Sequence, residues 1–209
     1  ESLDANSTGV KNVAVGYVAL SANTTGYDNT AVGSEALKTA TTGNTNTAVG
    51  SRALTLLTTA THNVAVGHQA GNVITTGSDC TLVGSNCGMT ATTDAGLTAV
   101  GKSALSSSTG SYQTLTSGDD NTAVGYNAMT LLTTGYSNVA VGAFAGDNQT
   151  VGYNNVYIGD NAGNTHSTGD RCIYVGRGTD CSGNSVDLEY VFGQGLAGKG
   201  TQVLIMKRM

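Results

Sequence analysis

The chain has 209 residues, of which only 11% are charged, and its net charge is -5 with nine Lys and Arg residues. Binding to nucleic acid needs clustered cations, so this composition argues against a nucleic-acid partner. The longest apolar runs fall well short of the roughly 18 residues of a membrane helix, so we expect no membrane insertion, and the start at Glu1 without a signal peptide suggests a processed product or a piece of a longer protein.

A five-residue phrase, first seen as Asn-Val-Ala-Val-Gly at 12–16, recurs along the chain. Eleven copies occur, and nine of the ten intervals between their final glycines are 17 residues long. The exception is 24 residues, one period plus a seven-residue insertion. The phrase glycines are Gly16, Gly33, Gly50, Gly67, Gly84, Gly101, Gly125, Gly142, Gly159, Gly176 and Gly193. Such a fixed period predicts a repeat architecture in which each unit stacks on its neighbours.

Each unit contains three to five apolar or β-branched residues bounded by Gly, Asn and Thr-Gly, which predicts strands and tight turns rather than helices. We therefore predict an all-β fold, a parallel β-solenoid of about eleven 17-residue coils. The solenoid domain should span 1–196, with a loop insertion at about 106–120. Residues 197–209 should form a terminal strand or begin a following segment.

Both faces of the predicted strand are apolar. The residue before each phrase glycine is Val, Ile or Phe, and the residue before that is usually Ala. Because side chains alternate along a strand, these two columns point to opposite sides. We predict that the valines form the core and that the small alanines let another copy approach, which favours a homotrimer, with a dimer or a merely exposed alanine face as alternatives.

Other columns predict structural roles. Asn occurs four residues before seven of the phrase glycines, where stacked amides can form a hydrogen-bonded ladder. Ala-Leu or Ala-Gly, as at Ala36-Leu37 and Ala70-Gly71, follows the phrase and should pack inward. A Thr-Gly pair such as Thr25-Gly26 then predicts a turn with a positive φ at the glycine.

The phrase Asn-Thr-Ala-Val-Gly at 29–33, followed by Ala36-Leu37 and Thr42-Gly43, resembles the head repeats of trimeric autotransporter adhesins. It resembles more closely the repeats of phage and virus tail-fibre proteins. The resemblance implies a trimeric fibre, at the virion surface or otherwise extracellular. Its partners would be itself, other fibre or virion proteins, and a host surface glycan or protein. The period is longer than in adhesin heads, so the handedness of the coil is left open.

Nothing in the sequence predicts catalysis, a cofactor or a metal site. The three histidines, His62, His68 and His166, lie at different repeat positions, and no catalytic constellation is evident. Asp119-Asp120 is the only adjacent acidic pair, and a solvated loop tip is the favoured interpretation over a calcium ligand. We therefore expect a structural protein rather than an enzyme.

The cysteines and the insertion are the remaining candidate sites. Cys80 with Cys87 and Cys172 with Cys181 each lie within one coil and are candidate disulfides, with free thiols and bonds between chains as alternatives. Oxidised pairs would support an extracellular location. In the insertion, the candidate receptor-contact residues are Tyr112, Gln113, Thr114, Asp119 and Asp120. The loop could equally serve to lock a trimer.

The favoured function is a structural fibre or adhesin segment of a phage or virus that contributes to host attachment. A bacterial trimeric adhesin head is the alternative. A further alternative is an ice-binding solenoid, because paired threonines such as Thr24-Thr25 and Thr41-Thr42 would stack into rows. A polysaccharide-cleaving spike is disfavoured, because no pair of carboxylates recurs at matching positions in adjacent coils.

Overall fold

The structure is a computed structural model that describes residues 1–89, 92–106, 120–181, 183, 185 and 187–195, and the backbone of 204–207. It confirms the predicted all-β parallel solenoid, and the described residues contain no helix. Twelve strands pair in sequence order within one sheet. They are β1 (Val13–Val15), β2 (Thr30–Val32), β3 (Thr47–Val49), β4 (Val64–Val66), β5 (Thr81–Val83), β6 (Thr98–Val100), β7 (Thr122–Val124), β8 (Val139–Val141), β9 (Val156–Ile158), β10 (Ile173–Val175), β11 (Glu189–Phe192) and β12 (Leu204–Lys207).

Strands β1 to β11 are parallel and in register, so each repeat position forms a column along the solenoid axis. Ala31 pairs with Ala48, and Val32 pairs with Val49. The last strand differs, since β12 runs antiparallel to β11 and pairs Glu189 with Lys207. Strand β12 lies within the segment 197–209 and pairs along one edge of the parallel sheet.

Two glycine columns allow coils to stack closely. The phrase glycine Gly33 has a φ of 139°, and a Cβ there would collide with the carbonyl group of Gly50 in the next coil. The prediction that the Thr-Gly glycines supply a positive φ is wrong for Gly26, Gly43, Gly77, Gly135 and Gly169, although Gly152, at the same position after Val151, has a φ of 132°. A Cβ on Gly26 would instead meet the Gly43 carbonyl, so close backbone approach explains this column.

The prediction that the valines form the core and that the alanines face another copy is wrong. Ala31, Ala48 and Ala65 are fully buried, whereas Val49 and Val66 are 36% and 37% exposed. The alanines therefore line the inside of the coil, and the valines point outward. The physical reason is the thinness of the coil, whose interior is filled by leucines of the Ala-Leu corner.

The interior follows a size rule between two columns. Where the inward strand residue is alanine, the corner position four residues after the phrase glycine is usually a buried leucine such as Leu37 or Leu54. Where the strand residue is Leu82, the corner positions on either side are Gly71 and Gly88. A Cβ on those glycines would lie 2.5 Å and 2.7 Å from Leu82 methyl carbons. Tyr157 is likewise flanked by two glycines, Gly146 and Gly163.

The predicted asparagine ladder is confirmed. The Asn46 side-chain amide donates to the Ala60 carbonyl at 2.9 Å, and its Oδ1 accepts from the Asn63 backbone N–H at 3.1 Å. The same pattern links Asn121, Asn138 and the coils around them. Each amide satisfies buried backbone groups at a corner, which would otherwise cost about 1–3 kcal/mol apiece.

Threonine hydroxyls form a second ladder. The first threonine of the Thr-Thr pairs donates its hydroxyl to the carbonyl of the same position in the next coil, as Thr24 does to Thr41 at 3.1 Å. Equivalent bonds start at Thr41, Thr58, Thr75, Thr133 and Thr150. These hydroxyls are therefore engaged in holding coils together.

Candidate self-association surface

The outward side of the sheet, which we call the outer strand face, carries only β-branched residues on β1 to β10 and two aromatic residues on β11. It consists of the residues one and three positions before each phrase glycine. The first column is Val15, Val32, Val49, Val66, Val83, Val100, Val124, Val141, Ile158, Val175 and Phe192. The second is Val13, Thr30, Thr47, Val64, Thr81, Thr98, Thr122, Val139, Val156, Ile173 and Tyr190. Neither column contains a charged residue.

Exposure along this face is uniform in the middle and rises at its first strand. Val66 and Val83 are each 37% exposed, because the adjacent strands cover their flanks. Val13 and Val15 are 49% and 58% exposed, since β1 has a neighbour on one side only. With a strand spacing of about 4.8 Å, the outer strand face is about 50 Å long. Contiguous apolar patches of this extent mark interaction surfaces rather than ordinary solvent-facing surface.

Charged residues border the outer strand face on both sides. We call the residue five positions before the phrase glycine the leading corner, and the two residues after that glycine the trailing corner. The leading corner carries Lys11, Asp28, His62, Asp79, Asp120 and Arg171, and the trailing corner carries Glu35, Arg52, His68, Lys102, Asp160 and Arg177. Within one chain, Arg52 and Glu35 form a partly exposed ion pair at 3.4 Å. His62 and Asp79 pair at 3.5 Å with both side chains mostly exposed.

Aromatic residues form two clusters, one beside each corner. The sequence alone did not lead us to predict either cluster. Beside the leading corner, the rings of Tyr136 and Tyr153 are stacked with centroids 5.0 Å apart, and the Arg171 guanidinium lies 5.9 Å from the Tyr153 ring. At the trailing corner, Tyr126 and Phe144 pack edge to face at 5.2 Å. Tyr136 and Tyr153 share a repeat position, six residues before the phrase glycine, whereas Tyr126 and Phe144 follow their phrase glycines by one and two residues.

Most of the predicted receptor-contact loop, including Tyr112, Gln113, Thr114 and Asp119, lies outside the described residues. Asp120 is described, is exposed and has a left-handed φ of 59°. Its backbone N–H donates to the Ala95 carbonyl at 3.1 Å. Asp120 therefore returns the chain to the regular coil at the leading corner.

All four cysteines are buried and none of them is in a disulfide, so the predicted Cys80–Cys87 and Cys172–Cys181 disulfides are not formed. Cys80 occupies the asparagine-ladder column, before β5, and the Cys87 thiol contacts the Gly84 carbonyl at 3.1 Å, after β5. The three-residue strand between them spans about 10 Å, more than the roughly 7 Å Cα separation a disulfide tolerates. Burial raises the pKa of Cys87 to about 12 and of Cys181 to about 11.

A buried polar cluster lies in the C-terminal coils. The Tyr157 hydroxyl is 2.7 Å from His166 Nδ1, and the Tyr174 hydroxyl donates to Glu189 Oε2 at 3.3 Å. All four side chains are fully buried. Burial raises the pKa of both tyrosines well above the ordinary value, so the phenols stay neutral. Their enclosure indicates a core network and not a site open to substrate.

The three histidines do not come together in the structure, since His166 is buried while His62 and His68 are exposed. Across the part of the chain that the structure describes, no three His, Cys, Asp or Glu side chains are grouped in a way that could hold a metal ion. The same residues include no helix that could cross a membrane. A polar surface pocket lies at the trailing corner of the last coils, lined by Asp160, Asn161, Arg177, Gly178, Gln194 and Gly195.

No protein-family model, curated protein or solved structure matches the chain. The functional argument therefore depends on the surface itself.

Proposed function

We propose that the chain is a structural, non-enzymatic segment of a phage or virus fibre that assembles as a homotrimer with its axis along the solenoids. One observation carries this proposal: the outer strand face has no charged residue along eleven strands and carries Val, Ile or Phe at one position of each, although it is not part of the chain's own core. Identical rods cover such a face most simply by closed cyclic symmetry. The proposal places the protein on the outside of a virion, with other fibre or virion proteins and a host surface glycan or protein as further partners.

The free energy gained by covering the outer strand face is consistent with assembly along its whole length. Full burial of a valine side chain contributes about 1.5–3 kcal/mol, so covering the exposed third of each contributes about 0.5–1 kcal/mol. Over the eleven residues that precede the phrase glycines, this sums to about 5–10 kcal/mol per chain. Association costs about 4–15 kcal/mol in lost freedom. The gain and the cost are similar in size, so a few charges in the middle of the outer strand face should prevent assembly.

Sedimentation equilibrium of the purified protein tests the proposal, with an expected mass of three chains of 20.9 kDa each. The variant Val66→Lys/Val83→Lys should be monomeric and should keep the β-type circular dichroism spectrum, because both side chains point away from the core. The matched control is Thr59→Lys/Thr76→Lys, which adds the same charge at exposed turn positions away from the outer strand face and should remain trimeric. A monomeric wild-type protein refutes the proposal.

The insertion supplies a second test within the same proposal. Deleting the seven residues 109–115, which include Tyr112, Gln113 and Thr114, restores the regular 17-residue interval between Gly101 and Gly125. If the loop serves recognition of a host surface, the deletion variant should remain trimeric. If the loop locks the trimer, the deletion variant should have a mass below that of three chains. Tyr112 and Gln113 would then be assembly residues.

The alternative function, a bacterial adhesin head, involves the same trimeric assembly, so sedimentation equilibrium tests it in the same way. The ice-binding alternative is weakened in its original form, since the hydroxyls of Thr24 and Thr41 are bonded to carbonyl groups of the next coils. An ice-binding solenoid would have to use the outer strand face as a monomer. Thermal hysteresis from a monomeric protein would favour that function over a fibre.

A further inference from the structure

This inference rests on the proposed assembly through the outer strand face and concerns how the copies are aligned. In any cyclic assembly whose axis runs along the solenoids, the leading corner of one copy lies beside the trailing corner of the next. The residues of the two corners therefore meet across the seam between copies. Their charges can decide which coil of one copy lies beside which coil of the other.

Four exposed or half-exposed charges near the first strands form an alternating pattern. On the leading corner, Lys11 precedes β1 and Asp28 precedes β2. On the trailing corner, Glu35 follows β2 and Arg52 follows β3. If equal coils meet, the carboxylates of Asp28 and Glu35 face each other. If the trailing corner is shifted by one coil, Lys11 meets Glu35 and Asp28 meets Arg52.

The same shift gives a third opposite-charge pair farther along. Asp79 precedes β5 and Lys102 follows β6, and both side chains are exposed. At equal height Asp79 has only the uncharged Ser85 beside it. Equal height also sets Arg171 against Arg177, a second like-charge contact between the two corners.

A one-coil shift in the opposite direction is less consistent. It pairs Asp120 with Lys102 and Arg171 with Asp160, which is two opposite-charge pairs against three. It also leaves the alternating charges of the first three coils without opposite partners. The first shift gives three opposite-charge pairs and no like-charge pair among the described corner residues.

We propose that copies of this chain pack in parallel, with each leading corner beside the trailing corner of the following coil of its neighbour. Six to seven residues separate the two corners, a width of about 20 Å, and one coil step is about 4.8 Å. A tilt of about 14° of each sheet against the assembly axis produces this shift, because a step of about 4.8 Å over a width of about 20 Å corresponds to that angle. The same tilt at every seam preserves three-fold symmetry.

Cysteine cross-linking tests the alignment directly. One chain carries Asp79→Cys together with Lys102→Cys, Ser85→Cys or His68→Cys, which probe the proposed shift, equal height and the opposite shift in turn. All three partner positions directly follow a phrase glycine, so the sets are matched. The two corners of one chain are too far apart to bond internally. After mild oxidation, non-reducing electrophoresis reports the covalent trimers that form.

The Asp79→Cys/Lys102→Cys chain should give about tenfold more covalent trimer than either other pair, because a step of about 4.8 Å moves a cysteine beyond disulfide range. A trimer by sedimentation that cross-links best through Ser85→Cys or His68→Cys overturns the alignment and leaves the assembly standing. A trimer that cross-links through none of the pairs also overturns it. A wild-type monomer overturns the alignment together with the proposed function.

Discussion

The size rule inside the coil predicts a strong coupling between Leu82 and its two flanking glycines. Leu82→Ala removes a fully buried side chain, and Gly71 and Gly88 offer no side chain to fill the resulting space. Leucine-to-alanine changes in cores cost about 2–5 kcal/mol, with the larger values where the site does not collapse. We therefore expect a loss of about 4 kcal/mol in the free energy of unfolding.

The reciprocal change overpacks the same space. In Gly71→Leu/Gly88→Leu, each new Cβ would lie within 2.7 Å of a Leu82 methyl carbon, which should cost about 2–4 kcal/mol. The backbone is not the obstacle, because Leu54 occupies the same corner position with a φ of 48°, close to the 59° of Gly71. Combining all three changes restores the alanine and leucine pattern of the neighbouring coils.

The assay is urea unfolding of the four proteins at one chain concentration, since any assembly makes stability concentration-dependent. Independent effects would add to a loss of about 6–8 kcal/mol, whereas the size rule predicts that the triple variant loses less than about 2 kcal/mol. The coupling free energy should therefore be at least about 4 kcal/mol. Additive losses would refute the view that the two columns share one interior space.

Two further predictions concern titratable groups. Burial, with a smaller contribution from Asp180, raises the pKa of Asp147 from 3.8 to about 6. The stability that this raised pKa contributes is therefore fully present below pH 3.8 and is lost as the pH rises through 6. Because the carboxyl group is only half-buried, the loss should be about 1 kcal/mol, and Asp147→Asn should abolish it in unfolding measured at pH 4 and pH 7. The raised pKa values of Cys87 and Cys181 predict that thiol reagents at pH 8 react slowly with the folded protein. After unfolding without reductant four thiols should react, and a count of two or none would restore the disulfide prediction.

Much of the fold was predictable because the repeat fixes register. A 17-residue period places Asn29 beside Asn46 and Ala31 beside Ala48, so the ladder and the parallel pairing follow from the sequence alone. The inside and outside of the strand did not follow, because both columns are apolar and hydrophobicity does not distinguish them. Size does: the corner positions on either side of Leu82 and of Tyr157 are glycine, whereas Tyr174 has Gly163 on one side and Asp180 on the other. This compensation shows that the alanine column and the leucine column face each other.

The candidate surface was missed as a surface for the same reason, since the valines were assigned to the core. The disulfide prediction failed for a separate reason, because Cys80 and Cys87 share a coil but are separated by the length of β5. The receptor-contact loop depends on residues such as Tyr112, for which the period makes no prediction. A repeat determines the conformation of what repeats, and an insertion is by definition outside that pattern.

Because the alanines point inward and the valines outward, the residues that stabilise a single chain differ from those that would hold copies together. Alanine, leucine and asparagine columns point inward and hold one coil on the next, so substitutions such as Leu82→Ala should destabilise an isolated chain. Valine columns point outward and add little to that chain, so Val66→Lys should act on copy number alone. Had the valines been the core, the two effects would be inseparable, because every change that dissolved the assembly would also unfold the rod.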